Sequence, residues 1–137
     1  REHPEDYDQG KVLAMALVHD LSEAKLMDIP MPVANAWLGD AKEKAEQGVF
    51  NELFEKFPAY YSALHDEFLA GKTSEARLLR ALDKAQMMLK VLCYEKEQRG
   101  CLEEFWQKPG NFNDMGIAPV SALFDAICHK AGKQRPR

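Results

Sequence analysis

Cysteine, long apolar runs, strand-like alternation and surplus positive charge are all scarce in this chain, and each shortage removes a class of protein. The three cysteines, Cys93, Cys101 and Cys128, are odd in number and contain no C-x-x-C pair. That argues against a disulfide framework and a zinc knuckle, and it predicts a reducing, cytoplasmic setting. The longest apolar run, Val12 to Val18, is far below the roughly 20 residues that cross a bilayer, and the opening residues do not resemble a signal peptide. Lys and Arg total 18 against 22 Asp and Glu, for a net charge of −4. Gripping a nucleic-acid backbone needs a basic face, and only the last residues approach one. Neither a nucleic-acid polymer nor a membrane is therefore an expected partner. No segment of any length alternates apolar and polar residues and no repeat is present, so sheets and solenoids are not predicted.

What is present is an apolar content of 46% and a charged content of 29% over 137 residues, the balance of one globular domain large enough to bury its own core. The spacing of its apolar residues predicts an all-α fold of about five to six helices. From Gly10, the residues Val12, Leu13, Met15, Ala16, Leu17, Val18 and Leu21 wrap most of a helix, which predicts a central helix buried on nearly all sides. Pro30 and Pro32 break it near Asp28. A second helical region is predicted from Val33 to about Phe57, with Gly48 as a kink, and a third from Tyr60 to Ala70, closed by Gly71. Thr73, Ser74 and Glu75 offer a hydroxyl cap with an acid in the first turn. A long helix to about Gln98 follows, carrying Leu78, Leu82, Ala85, Met88, Leu89 and Leu92 at helical spacing. After a Pro/Gly/Asn loop a last helix runs from about Pro119 to Lys130, and residues 131–137 read as a basic frayed tail.

The segment Val18-His19-Asp20-Leu21-Ser22-Glu23 sets an acid at the end of an apolar helix. An ionised Asp in a dry interior is costly unless it is paired or coordinates a cation. His19 and Glu23 stand four apart and so share a face of a continuous helix; Asp20 is one step round, so His19 and Asp20 can reach one metal with Glu23 close by. Asp28, at the break, can point back over the same mouth. In Leu79-Arg80-Ala81-Leu82-Asp83-Lys84-Ala85 an acid again interrupts an apolar helix. Packing the two helices together would unite His19, Asp20 and Asp83 as three N/O ligands, a set that suits a first-row divalent metal with positions open for water and substrate. Blander readings stand beside this one. A His-Asp pair is common by chance, and a helical Asp is more often at the surface than on a metal. His65, in the polar stretch His65-Asp66-Glu67, reads as a solvated helix face, and His3 and His129 read as surface residues. Trp37, Trp106 and the pair Tyr60-Tyr61 read as packing rather than as a base-stacking platform.

The string ALVHDLSEAKLMDIP resembles the core signature of HD-domain phosphohydrolases, in the branch similar to 5'-deoxynucleotidases, where His-Asp is followed by a Glu and then by an Asp before a proline-containing loop. The downstream string SEARLLRALDKAQMMLKVLCYE resembles that branch's later helix, whose Asp-Lys supplies the last ligand, and the likeness extends over roughly residues 11–130. The resemblance implies an HD-domain-like helical bundle and a metal-dependent phosphomonoester hydrolase that releases phosphate from a (deoxy)nucleoside 5'-monophosphate. It implies His19, Asp20 and Asp83 as metal ligands, Glu23 and Asp28 as catalytic acids, and Lys84 and Lys25 as lesser candidates for the phosphate. The cofactor would be a divalent cation, whether cobalt, manganese, magnesium, zinc or iron. The partner would be a small-molecule nucleotide, with a homodimer also open and Phe105, Trp106 and Phe112 as the exposed aromatics to examine. The family's first His ligand sits on an earlier helix, well before the His-Asp pair; His3 is not in its place, so the domain spanning 1–137 is expected to lack its N-terminal helix. The rival readings are an HD-type enzyme for another phosphate ester and a degenerate HD domain that binds a nucleotide or a partner without catalysis. A di-iron oxygenase would need further His ligands.

Overall fold

In the computed structural model, residues 7–136 are described. The fold is all-α, and among the described residues there is no strand. Among the described residues, five helices have ten residues or more: α1 (Gln9–Val18), α4 (Asp40–Phe54), α5 (Ala59–Ala70), α6 (Ser74–Lys96) and α8 (Ala118–Ala131). Short pieces lie between them: α2 (Glu23–Leu26), α3 (Met31–Val33), which runs into a π-helical turn at Ala34–Leu38, α7 (Glu103–Trp106) and a 3-10 turn at Pro109–Phe112. Among the described residues no helix is long and apolar enough to cross a membrane. The chain forms two compact units divided between Ala76 and Arg77, in the first turn of α6.

In the leading unit, Asp8 caps α1 by accepting a hydrogen bond from the Lys11 amide at 3.0 Å. α1 packs on α5, α5 on α4, and α4 on α2. Met15, Val18, Phe50 and Leu64 are buried there. The expectation of an α1 buried on nearly all sides is not met: Leu13 is 66% and Leu17 77% exposed. One helix in a small unit has neighbours on one side only, so an all-round apolar sequence leaves part of itself outside. The predicted kink also falls elsewhere. α4 runs unbroken through Gly48, and the break is at Gly39, whose φ of +48° lies in the region that favours glycine. Just before it, Gly39 donates to the carbonyl of Ala34, a bond spanning five residues that makes the π turn. Trp37, on that turn, is 84% exposed rather than packed.

The trailing unit is built on one face of α6, where Ala81, Ala85, Met88 and Leu92 recur at three- and four-residue spacing. They pack with Trp106, Phe112 and the face of α8 that carries Val120, Phe124, Ile127 and Cys128. Trp106 and Phe112, named from sequence as exposed interface aromatics, are therefore core residues, each 3% exposed, as the packing reading of Trp106 expects. Their rings stand 6.2 Å apart, and Phe112 lies 5.5 Å from Phe124. Polar groups in this unit are well matched. Glu95 accepts from the Trp106 indole at 3.0 Å and from the Leu102 amide at 3.2 Å. Within the tail expected to fray, Arg135 donates to the Phe112 carbonyl and to Asp114, both at 2.8 Å, and to the Ser121 hydroxyl at 2.7 Å.

Candidate metal and phosphate site

The leading unit gathers most of the predicted groups at one turn. α1 ends at Val18, and the chain does not continue as one helix to the prolines. Instead Leu21, Glu23 and Ala24 donate to the carbonyls of Val18, Asp20 and Leu21, each a bond to the third residue back. Such a tightened turn rotates by about 120° per residue, so side chains three apart eclipse one another. The expected shared face of His19 and Glu23 is thus replaced by one that aligns Asp20 with Glu23. α2 then stops at Met27, whose φ of +60° is strained for a residue with a side chain, and Asp28 follows on the exposed loop.

His19 is held in one orientation. Its Nδ1 lies 2.8 Å from the Ala16 carbonyl, which can only accept, so Nδ1 carries the proton. Its ring meets Phe68 of α5 edge to face, with centroids 5.0 Å apart. Nε2 lies 3.0 Å from Oδ2 of Asp20. With the proton of the neutral ring on Nδ1, two electron-rich atoms face each other, and that approach is favourable only with a second proton or a cation between them. A histidine oriented by a carbonyl on one nitrogen and turned to a carboxylate on the other is the arrangement of metal-ligating imidazoles. The Asp20 side chain is 59% exposed. Its charge is therefore not buried as the sequence predicts, and an open position is what a site admitting substrate needs.

Negative charge accumulates beside this pair. Glu23 is half-buried, and its carboxyl is held above the ordinary range by burial first and then by the charges of Asp20 and Asp28. Nitrogen and oxygen donors under excess negative charge fit a divalent cation in chemical type. Among the described residues no group of three or more His, Cys, Asp or Glu side chains is arranged to hold a metal. Asp83 and Lys84 are half-buried on α6 in the trailing unit. Lys25 extends to Glu52 of α4, with Nζ to Oε1 at 2.5 Å.

Two residues carry no sequence signal, and a third departs from its expected place. Lys42 and Glu46, on the first turns of α4, form an i,i+4 pair at 2.6 Å. His65 is 1% exposed, not solvated, and neither ring nitrogen has a hydrogen-bond partner. It stacks on Phe50 at 3.9 Å and 9°, and burial lowers its pKa, so it is neutral at physiological pH. The signal for it lay in spacing: Tyr61, Leu64 and Phe68 put the apolar arc of α5 across position 65.

The chain is 28% identical over 125 residues to the 5'-deoxynucleotidase HDDC2 of Xenopus laevis, an alignment covering 85% of this chain and 61% of that protein. It thus spans less than two thirds of that relative's length. No solved structure matches. The HD domain family matches residues 1–110, a stretch that includes His19, Asp20, Glu23, Asp28 and Asp83. With well over half of its length matched in this way, the chain belongs to the HD domain family.

Proposed function

We propose that this chain is a metal-dependent phosphohydrolase acting on a nucleotide, with a (deoxy)nucleoside 5'-monophosphate as substrate. The observation that carries the reading is the approach of His19 Nε2 to Asp20 Oδ2 at 3.0 Å, next to a glutamate whose pKa is raised by burial and then by its acidic neighbours. In this reading His19 and Asp20 hold a divalent cation, and the resemblance to the family's later helix names Asp83 as a further ligand. Once bound, the cation supplies positive charge to a phosphate oxygen and lowers the pKa of a bound water.

The remaining work falls to the protein's own groups. Glu23, with its raised pKa, accepts the proton of the attacking water more readily than an ordinary carboxylate does. Glu23 passes that proton on to the leaving sugar oxygen, and Asp28, two residues beyond the end of α2 on the exposed loop, holds the sugar. The relative's name, 5'-deoxynucleotidase, supports the substrate class.

The test is phosphate release from a panel of ribo- and deoxyribonucleoside monophosphates with cobalt, manganese or magnesium, and with a chelator. Release that needs the metal and favours monophosphates is the expected result. Metal-independent release, or no release from any monophosphate, would contradict the reading, and nucleotide binding without release would point to the non-catalytic module.

A further inference from the structure

The proposed site has an electrostatic deficit. A phosphate monoester carries close to two negative charges near neutral pH, its second pKa being about 6. Asp20, Glu23, Asp28 and Glu46 all contribute negative charge around the first residue of α2, since Asp20, Asp28 and Glu46 each raise the pKa of Glu23. A dication shared by His19 and Asp20 offsets part of this. A further cation is needed on the protein, and Lys25 is already paired with Glu52 out in solvent, with side chains 45% and 65% exposed.

Lys42 meets the requirement. It lies in the first turn of α4, the helix on which α2 packs, and Glu23 opens α2. Pairs at i,i+4 are ordinarily solvated and worth little, but the Lys42 and Glu46 side chains are only 23% and 17% exposed. The Lys42 charge lowers the pKa of Glu23, against the acids around it. An ammonium has three donors, and Glu46 takes one of them at 2.6 Å.

We infer that Lys42 is the substrate-binding cation of this site, donating from Nζ to the phosphate oxygens of the nucleotide while Glu46 holds its remaining bond. The inference rests on the phosphohydrolase reading for its substrate, though not for its anion. Nζ keeps its proton throughout, so Lys42 acts on binding rather than on proton transfer.

Two measurements on the full chain test it: steady-state kinetics on the best monophosphate, and calorimetric titration of inorganic phosphate into manganese-loaded protein. Lys42→Gln should raise both KM and the phosphate Kd by about tenfold or more, as for loss of a charge-assisted hydrogen bond, with manganese content unchanged. Lys42→Arg should recover most of the loss. Glu46→Gln breaks the same ion pair but keeps the cation, and should raise KM by no more than about threefold, the net worth of a partly exposed pair. An unchanged KM and phosphate Kd in Lys42→Gln would overturn the inference while leaving the hydrolase standing. A Glu46→Gln defect as large as that of Lys42→Gln would also overturn it, because the pair would then be purely structural. Wild-type protein that binds phosphate through Lys42 without hydrolysing any ester would uphold the inference and sink the hydrolase. Wild-type protein that binds no phosphate at all would overturn the assignment of Lys42.

Discussion

The two units treat buried polarity in opposite ways. In the trailing unit the Trp106 indole has Glu95, and Arg135 has Phe112, Asp114 and Ser121. Arg135 in turn holds the Asp114 carboxyl below its ordinary range. In the leading unit His65 is buried with neither nitrogen bonded, and Glu23 sits among like charges. Unsatisfied buried groups cost stability and persist only where the surroundings over-determine them. Their place on α2 and α5 sets the leading unit apart from one whose buried polar groups are matched.

Breaking the chemistry gives the largest expected effect. Asp20→Ala or Asp83→Ala should lower metal-dependent phosphate release by at least about a hundredfold, since even residues that merely orient ligands cost 10- to 100-fold. Circular dichroism should show the helical content intact. Breaking the packing comes next: Phe124→Ala, at a fully buried ring, should cost about 3–5 kcal/mol in urea unfolding. Trp106→Phe leaves Glu95 without its indole donor and should cost about 1–3 kcal/mol; activity should respond less to either change than to loss of Asp20.

His65 sharpens the contrast through pH. Its pKa is lower folded than unfolded, chiefly because burial disfavours the imidazolium. The unfolded chain therefore binds more protons between the two values, and stability falls as pH drops below the ordinary histidine range. His65→Phe should flatten that acid limb in urea titrations at successive pH values; an unaltered limb would place the acid sensitivity elsewhere. The smallest effect is expected at Thr73, whose hydroxyl accepts from the Ala76 amide at 3.3 Å at the start of α6. Thr73→Ala should cost about 1 kcal/mol by thermal unfolding.

Helix ends written in local chemistry were legible in the sequence. Gly71 closes α5 in the left-handed conformation, Thr73 starts α6, and Pro119 stands in the first turn of α8. The end of α1 was not, because no proline or glycine marks residues 19–22; the turn is set by backbone bonds to the third residue back. That difference decides which acid aligns with Glu23. Gly48 was mistaken for the break because a glycine inside a helix and one that ends it look alike without φ. His65 was misread since its polar neighbours Asp66 and Glu67 masked the apolar arc beneath it. The residue types of the candidate site could be read from the two motifs. Lys42 could not, because its relevance comes from the packing of α2 on α4 rather than from its neighbours in sequence.

The most direct test of the central claim is metal content by plasma mass spectrometry on purified wild-type, Asp20→Asn and Asp83→Asn proteins equilibrated with manganese and desalted. These substitutions keep side-chain size while removing the charge and turning one ligating oxygen into an NH2 donor. One manganese per wild-type chain, lost from both variants, is the result predicted if His19, Asp20 and Asp83 share the ion. Equal metal in all three proteins, or none in the wild type, would contradict it.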